Sequence, residues 1–360
     1  MLTPYNFDGK YYYLYSKLKP DLKKLYEKIY SGLIDTRKSI IIDGKYNADL
    51  VFTIKDFVIR DHPEIFWDGG GSSVWSGSDG YVNKMDLRYK FQGNELLKKK
   101  KELNNAISHF VEGLEGKTLL EKERLIHDRL AEELEYEFND LDQTSYGSLV
   151  NKRAVCAGYS RGFQLLMRIV GMPCFYLSGL AQGSEDKSWE RHGWNIVEIN
   201  GQYYNVDLTW DHVIISDKGK KIYHHHYYNC DDDDIAKNHK RDDLSRYLPG
   251  CSGQQYTFEN LYGINPIVDE IYQDGLTHTT VVRNKKDFKE IFASELQKSD
   301  GKEIVAVAFI IDSKDIVDLC MKWIGDLARK EKKFGGFEVR SRVRDYGKGL
   351  YRLMIGVKFD

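Results

Sequence analysis

The chain has 360 residues and a mass of 41.9 kDa, which is long enough for two or three domains. Its 41% hydrophobic content excludes wholesale disorder, and its formal charge of −2 argues against the basic class of nucleic-acid-binding proteins. A long apolar run, a secretory signal in Met1–Lys10 and CxxC pairs among the five cysteines are all missing from the sequence. We therefore expect a cytoplasmic protein without a membrane span, a disulfide scaffold or a zinc ribbon.

The first 115 residues are predicted to form an N-terminal mixed α/β domain. A helix is expected from Pro20 to Leu33, because apolar side chains recur on one face and proline fits the first turn. The glycine- and serine-rich segment Gly69–Gly80 lacks the GxxxxGK[ST] pattern of a phosphate loop, so we expect a hairpin or a mobile loop. Lys98–Lys101 lie opposite an apolar stripe, which favours a solvated helix face.

A second predicted domain, residues 116–262, begins with a helix. Thr118 and Glu121 form a capping-box signature ahead of apolar residues at helical spacing, and the pattern continues to about Phe138. His127 lies on this helix. Because Ala131 rather than a histidine follows four residues later, a packed or surface histidine is favoured over a zinc ligand.

Cys156 is predicted to lie at the start of the next helix. Apolar residues at helical spacing follow it, and the helix is expected to stop at Gly171 before Pro173. Unpaired amides and the positive end of the helix dipole favour thiolate over thiol at such a position, and the same amides could hold an oxyanion. The alternative for a single cysteine is a small buried hydrophobic residue.

A β-hairpin is predicted around Asn200-Gly201, within the sequence HGWNIVEINGQYYNVDLTW. Counting back from a two-residue turn puts His192 and Asp207 on one face as diagonal neighbours. The other face is apolar and is expected to meet the core, whereas the face with His192, Asp207 and Trp194 is expected to line a cleft. The alternative is an exposed polar pair worth well under about 1 kcal/mol.

Three consecutive histidines, His224–His226, precede Cys230 and the acidic run Asp231–Asp234. Their composition could bind a metal, but consecutive side chains on a strand point to opposite faces and cannot easily converge on one ion. A strand that leads into an acidic helix start is favoured, with no metal site.

Residues 263–360 are predicted to form a small C-terminal α/β domain without recognisable chemistry. The patterns predict, in order, a strand, a helix, a strand, a helix and two strands joined through Tyr346–Gly349. Cys320 shares the apolar face of the second helix and is expected in the core.

The central motifs resemble those of the transglutaminase-like superfamily. The similarity rests on AVCAGYSRGFQLLMRIVGMPC around Cys156 and on RHGWNIVEINGQYYNVDLTWD around His192 and Asp207. It includes IHDRLAEELEYEF and SYGSLVNKRAV upstream, KIYHHHYYNCDDDDIAKNH downstream and, as in the larger bacterial members, DHPEIFW near the N-terminus. About residues 118–255 are covered, and the last hundred residues resemble no family that we recognise.

The resemblance implies an α+β fold in which a papain-like transglutaminase core lies between the N-terminal and C-terminal domains. It implies Cys156 as nucleophile, His192 as base and Asp207 as its orienting partner. The chemistry itself requires no cofactor; some relatives use calcium, but nothing in this sequence resembles an EF-hand loop. Such an enzyme attacks an amide carbonyl of a protein or peptide substrate and forms a thioester. Hydrolysis is slightly favoured over acyl transfer to an amine, and the alternative is a non-catalytic interaction module that keeps the fold.

Two further expectations follow from the resemblance. The oxyanion would be held by the Cys156 amide together with Tyr146 or Trp194. Gly193 replaces the alanine that follows the histidine in many members, a change that we expect to leave the imidazole untouched.

Overall fold

The computed structural model describes residues 7–183, 188–215, 221–263, 277–298, 304–330, 337–345 and 351–359, together with residues 266 and 269. Helices and strands are mixed along the chain, which confirms the predicted α+β class. By its internal contacts the chain divides into two units. The first unit comprises residues 1–212 and 227–261, and the second comprises residues 213–226 and 262–360. A domain boundary near residue 115 stays a prediction.

Helices dominate the start of the first unit. The elements in chain order are α1 (Tyr13–Ser16), α2 (Pro20–Ile34), β1 (Ser39–Ile41), α3 (Ala48–Asp61), β2 (Ser73–Ser76), β3 (Val82–Asp86) and α4 (Gly93–Val111). The three strands form one sheet in the order β1-β3-β2, and β2 and β3 form the hairpin predicted for the glycine-rich segment. The lysine prediction holds in part: Lys98 is 78% exposed, but Lys100 Nζ lies 4.0 Å from the centre of the Trp67 ring.

The rest of the first unit carries the central sheet. Its elements are α5 (Leu119–Glu133), β4 (Glu135–Tyr136), α6 (Ser145–Leu149), β5 (Arg153–Ala154), α7 (Cys156–Ile169), β6 (Cys174–Ala181), β7 (Glu190–Ile199) and β8 (Gln202–Val206). After the second unit's β9 (Val213–Ile215) and β10 (Lys221–Tyr223), the first unit continues with α8 (Asp232–Ile235), β11 (His239–Arg241), a 3-10 turn (Ser245–Tyr247) and α9 (Phe258–Tyr262).

The central sheet has the antiparallel order β11-β6-β7-β8, and α7 packs against β6 and β7. Asn200 and Gly201 connect β7 to β8 with φ values of 51° and 79°, the two positive values that a type I′ turn requires. The predicted hairpin turn is therefore confirmed. Side chains on both faces of β7 are buried, so this strand lies inside the unit.

The predicted helix from Thr118 is correct at its start and too long at its end. Thr118 caps α5 and forms the expected capping box with Glu121, but the helix ends at Glu133. The chain then becomes extended because Tyr136 pairs with Ala154 in the short parallel sheet of β4 and β5. Tyr136, one of the five residues expected to finish the helix, therefore lies near Cys156 instead.

Glu123 on α5 is a completely buried carboxyl group. Its Oε2 accepts a hydrogen bond of 3.3 Å from Asn229 Nδ2. Burial raises the pKa of Glu123 to about 7, although the hydrogen bonds of Asn229 and Tyr228 and the charge of His127 oppose the rise. The folded protein therefore holds this proton at pH values where an unfolded chain releases it.

Glu123→Gln is expected to remove part of the pH dependence of stability. Because the folded pKa of about 7 lies above the ordinary 4.5, the wild type is most stable below pH 4.5 with respect to this group. It loses up to about 3 kcal/mol as the pH rises to 7. Urea unfolding at about pH 5 and about pH 8 measures the difference. Glu115→Gln, at an exposed position, should follow the wild type, and an identical pH slope in Glu123→Gln would contradict the expectation.

The second unit contains a four-stranded sheet. Its elements are β12 (Thr277–Val282), α10 (Lys285–Lys298), β13 (Ile304–Ile311), α11 (Lys314–Lys330), β14 (Phe337–Asp345) and β15 (Tyr351–Phe359), in the sheet order β12-β13-β15-β14. The predicted order of strands and helices is confirmed, and Cys320 is fully buried in the core as expected. The predicted turn Tyr346–Gly349 lies outside the described residues. In the described parts of the chain, none of the helices has the length and apolar character needed to cross a membrane.

Candidate active site

Cys156 is the first residue of α7, as predicted. Backbone N–H groups of Gly158 and Tyr159 bond to the Val155 carbonyl at 2.9 and 3.0 Å and close the first turn. The amide of Cys156 and the start of the helix dipole therefore lie beside the sulfur, where they stabilise negative charge.

A serine in α7 joins this helix to the strand that carries His192. The Ser160 hydroxyl lies 2.8 Å from the Cys156 carbonyl and 2.9 Å from the Gly193 carbonyl. Asn195 Nδ2 donates in turn to the Ser160 carbonyl at 3.0 Å. These buried bonds set the distance between the helix start and β7, and hence between the thiol and the imidazole.

His192 and Asp207 make direct contact. The ladder between β7 and β8 keeps the predicted register up to the pair Asn195–Val206 and ends there, one residue before Asp207. His192 Nε2 lies 2.7 Å from Asp207 Oδ2. The diagonal neighbours expected from the register are therefore in hydrogen-bonding contact, although Asp207 itself lies just beyond the strand.

The three residues run from near the surface into the interior. Cys156 and His192 are each 9% exposed, and Asp207 is completely buried. The Cys156 thiol lies close enough to the His192 ring to affect the pKa of that imidazole. Since Nε2 faces Asp207, Nδ1 is the ring nitrogen left for the sulfur.

The buried charges hold His192 in its protonated form. Burial alone would lower the pKa of His192, but the charge and hydrogen bond of Asp207, helped by Cys156, raise it to about 10. Burial likewise opposes ionisation of Asp207, but His192 and His239 hold the pKa of Asp207 well below its usual range. An imidazolium flanked by a carboxylate and a sulfur is the arrangement that stabilises a cysteine thiolate.

Tyr136 is a site residue that the sequence analysis missed. Its hydroxyl lies close enough to Cys156 to be affected by the charge of that residue, and its ring centre lies 6.2 Å from that of Tyr159. Burial first, and the charge of Cys156 next, raise the pKa of Tyr136 to about 12, so the hydroxyl keeps its proton at neutral pH. Alternation of charged and aromatic residues in Glu135–Phe138 was the available sequence signal for a strand here.

The two side chains expected to complete an oxyanion site are engaged elsewhere. The Tyr146 hydroxyl lies 2.5 Å from Glu102 Oε2, so its proton is directed away from Cys156. The indole N–H of Trp194 donates to Asn205 Oδ1 at 3.2 Å, and its ring stacks on His192 with centres 6.2 Å apart. Each side chain has a single donor proton, and these hydrogen bonds use it.

The face of the hairpin with His192 and Asp207 is not the open cleft wall expected from the sequence. Trp194 is only 1% exposed, and Asn205 is completely buried. A second imidazole, His239 of β11, lies on this face and also contacts Asp207, with 3.0 Å between Nε2 and Oδ2. Sequence patterns could not indicate this histidine because only the pairing of β11 with β6 brings it to the site.

Gly193 fits tightly, which the sequence did not predict. A Cβ atom at this position would lie 2.9 Å from Cε2 and 3.0 Å from the hydroxyl of the buried Tyr176 ring. Glycine at position 193 therefore leaves room for the large Tyr176 side chain. The methyl group of an alanine would press on that ring and displace the strand that carries His192.

The histidine run does not form the strand that was expected. β10 ends at Tyr223, and His224 and His226 stack on each other with ring centres 5.3 Å apart. The acidic helix start is correct, because Asp231 caps α8 through its side chain, which accepts from the Asp234 amide.

Residues 108–208 match the family model of the transglutaminase-like superfamily. This segment holds Cys156, His192 and Asp207, and the resemblance inferred from the motifs is confirmed for it. The search of curated proteins found no match to the chain.

Three solved structures are similar to parts of the chain. A structure named as a TGase has a TM-score of 0.28 and 9% identity over 48% of this chain and 50% of its own. A "Putative Cysteine Protease" from Cytophaga hutchinsonii has a TM-score of 0.26 and 15% identity over 38% of this chain and 61% of its own. A "Putative Protease" from Parabacteroides distasonis has a TM-score of 0.22 and 9% identity over 81% and 63%. The chain thus spans between 50% and 63% of the length of these structures.

Proposed function

We propose that the protein is a transglutaminase-like cysteine enzyme that attacks an amide carbonyl of a protein or peptide substrate. The observation that carries the proposal is the contact between His192 and Asp207 beside a cysteine at a helix start. A buried carboxylate that orients an imidazole, and an imidazole that accepts or returns the thiol proton, are the parts of a nucleophilic centre. The match to the transglutaminase-like family model over residues 108–208 supports it.

The proposed reaction has two steps. The Cys156 sulfur attacks the carbonyl carbon, the C–N bond breaks, and the His192 imidazolium gives its proton to the departing amine, which leaves a thioester. His192 then removes a proton from water, the resulting hydroxide attacks the thioester, and the carboxylic acid leaves while the sulfur regains its negative charge. An amine in place of water would give a new amide.

Hydrolysis is favoured slightly over transfer to an amine. The sequence has no recognisable second-substrate signature, and this is the ground for the preference. Transfer would need an amine to outcompete water in the attack on the thioester carbonyl. The two reactions therefore differ in the attacking nucleophile and use the same protein residues.

The proposal is tested first by the reactivity of Cys156. Cys156 is labelled with iodoacetamide at a series of pH values, and the product is measured by mass spectrometry. If the proposal is correct, labelling should show a thiolate at pH values well below about 8.5, the pKa of a free thiol. The remaining four cysteines are buried free thiols and serve as internal controls. A Cys156 that titrates as an ordinary thiol, with reactivity unaltered by Asp207→Ala, would favour the non-catalytic interaction module instead.

A second measurement separates the two enzyme reactions. The protein is incubated with a glutamine-containing protein and a labelled primary amine, and both label incorporation and new peptide ends are measured. New ends or deamidation without label support hydrolysis. Incorporation that depends on Cys156 would replace hydrolysis by acyl transfer.

Tyr136→Phe is expected to lower kcat by about 10²-fold while Cys156 keeps its alkylation rate within a few-fold. We propose that the hydroxyl donates to the oxyanion together with the Cys156 amide, and loss of one such donor costs about 10²–10³ in kcat. Alkylation forms no oxyanion, so it reports on the thiolate alone.

Tyr146→Phe is the matched control, because its hydroxyl contacts Glu102 rather than the sulfur. It is expected to leave kcat within about twofold of the wild type if Tyr136 is the donor. A Tyr136→Phe variant with unchanged or increased kcat would mean that this hydroxyl covers the sulfur without assisting the reaction.

A further inference from the structure

A second imidazole binds the carboxylate that orients His192. His239 Nε2 lies 3.0 Å from Asp207 Oδ2, the same oxygen that lies 2.7 Å from His192 Nε2. The His239 side chain is completely buried, and β11 holds its backbone by pairing it with Ala181 of β6. Because an ionised carboxylate only accepts hydrogen bonds, both rings present an N–H group to Asp207.

Asn238 holds the His239 ring in this orientation. Asn238 Oδ1 lies 2.7 Å from His239 Nδ1, and Asn238 Nδ2 donates to the Tyr227 hydroxyl, also at 2.7 Å. Nε2 of His239 thus faces Asp207 and Nδ1 faces Asn238, and a rotated ring would lose both contacts.

Aromatic rings close the space around the two imidazoles. The Trp210 ring centre lies 4.6 Å from that of His239 and 5.4 Å from that of His192. The Trp194 ring centre lies 5.0 Å from that of His239. In such a low-dielectric space a hydrogen bond to a carboxylate is stronger than in water, and its loss is correspondingly costly. Asp207 therefore depends on protein donors rather than on water to stay ionised.

Two imidazoles and a carboxylate could also bind zinc. The distances between their atoms can be compared with those expected for a zinc site and for a hydrogen-bonded cluster. The ligand atoms of His192, Asp207 and His239 all lie within 4.8 Å of one another. Tetrahedral zinc, at about 2.0–2.1 Å from each ligand, holds neighbouring ligand atoms about 3.3 Å apart. The observed separations of 2.7 and 3.0 Å are those of hydrogen bonds. In this arrangement the two imidazoles contact Asp207 through hydrogen bonds.

We propose that His239 is a positioning residue, which keeps the Asp207 carboxylate ionised and aimed at His192. This inference rests on the proposed function, since it matters only if Cys156 and His192 form a thiolate–imidazolium pair. His239 acts through Asp207, which lies between the two rings. The site is accordingly a group of four side chains, with one carboxylate oxygen shared by two imidazoles.

The test compares the alkylation of Cys156 in His239→Gln and His239→Phe with that in the wild type. A glutamine amide can donate from the place of Nε2, whereas phenylalanine fills the space without a donor. The acid limb of the profile is the pH range in which the alkylation rate rises as the thiolate forms. The glutamine variant should have the same acid limb as the wild type. The phenylalanine variant should shift that limb upward by about one pH unit, with a rate about tenfold lower on the limb. Among the described residues, other titratable groups near this cluster include Tyr136 beside Cys156, Tyr227, whose ring packs on His239, and Asp211, whose carboxylate accepts from the Tyr227 amide.

His62→Phe is the matched control. His62 is 1% exposed, and its Nδ1 lies 2.7 Å from Glu64 Oε1, so it is also a buried histidine bonded to a carboxylate. Its replacement should cost stability and leave the acid limb of Cys156 in place. If His239→Phe is too unstable to study, His239→Asn, whose amide is too short to reach Asp207, takes its place.

The outcomes separate the two hypotheses. The positioning role of His239 would be overturned if the acid limb of His239→Phe coincided with that of the wild type. It would also be overturned if His239→Gln shifted the acid limb as much as His239→Phe does. A wild-type Cys156 that alkylates with the pH dependence of a free thiol would overturn the proposed function instead. If the acid limb shifts in His239→Phe but not in His239→Gln, the result supports both the positioning role of His239 and the proposed function.

Discussion

Asp207→Asn is expected to lower turnover about 10³- to 10⁴-fold, the effect that loss of a histidine-orienting carboxylate has in a nucleophilic centre. The substitution keeps the size of the side chain, which is completely buried, and removes its charge. Both rings donate to Oδ2, whereas Oδ1 accepts from the Thr209 amide, so the amide nitrogen of asparagine would take the Oδ2 position and present N–H groups to both rings. Turnover and Cys156 alkylation, measured on the same preparation, report the loss.

The pH dependence of the same variant has a definite sign. In the wild type the pKa of His192 is raised from 6.5 to about 10, chiefly by Asp207 against the effect of burial. The imidazolium therefore persists across neutral pH and is lost only as the pH rises towards 10. Without the carboxylate the His192 pKa falls, and the alkaline limb of the alkylation profile should move to lower pH.

Asp211→Asn provides the comparison for Asp207→Asn. Asp211 is also completely buried, and its carboxylate accepts from the Tyr227 amide at 2.9 and 3.1 Å. Its loss should destabilise the fold and leave the His192 titration close to that of the wild type. If the two variants lost turnover equally and kept the same alkaline limb, the role of Asp207 would be structural.

Gly158→Ala is expected to destabilise the first unit by about 2–3 kcal/mol, although alanine is the better helix former by about 1 kcal/mol. A Cβ atom at Gly158, the third residue of α7, would lie 2.1 Å from the Asp142 carbonyl oxygen and 2.7 Å from the Ala154 Cβ. That carbonyl accepts from the Val155 amide at 3.0 Å, so it cannot move without disturbing the residue that caps α7. The clash therefore outweighs the gain in helix propensity.

Thermal unfolding and Cys156 alkylation together check this expectation, because a shifted helix start should also slow the labelling. Gly162→Ala is the matched control, four residues later in the same helix. Its Cβ would meet the Ser148 hydroxyl oxygen at 2.3 Å, which is the end of a side chain that can rotate. A smaller loss of stability is expected there, and an equal or larger loss would argue against the backbone clash at Gly158.

Local patterns predicted the parts of the site that adjacent residues determine. The turn at Asn200-Gly201 sets the register of β7 and β8, and that register brings His192 and Asp207 to one place. The helix start at Cys156 is likewise a property of its own sequence. In the second unit the order of strands and helices followed from periodicity alone, because each element has a regular apolar face.

The errors occurred where a partner distant in sequence decided the outcome. Helical spacing after Thr118 extended the predicted helix through Tyr136, but pairing with Ala154 makes that residue extended and puts its hydroxyl beside the sulfur. For the predicted donors Tyr146 and Trp194, the sequence does not indicate that Glu102 and Asn205 accept their protons in the structure. A hydroxyl or indole N–H has one proton, and its direction depends on acceptors that periodicity does not locate.

The sequence by itself determined the α+β class, the hairpin, the helix start and three residue types suited to acyl chemistry. Those features depend on short-range turn preferences and hydrophobic spacing, which act within a few residues. The tertiary structure alone decided that His239 shares the Asp207 carboxylate, because 32 residues separate them and only the pairing of β11 with β6 brings them together. Burial then set the charges of the site, since the energy of an ion depends on what surrounds it after folding.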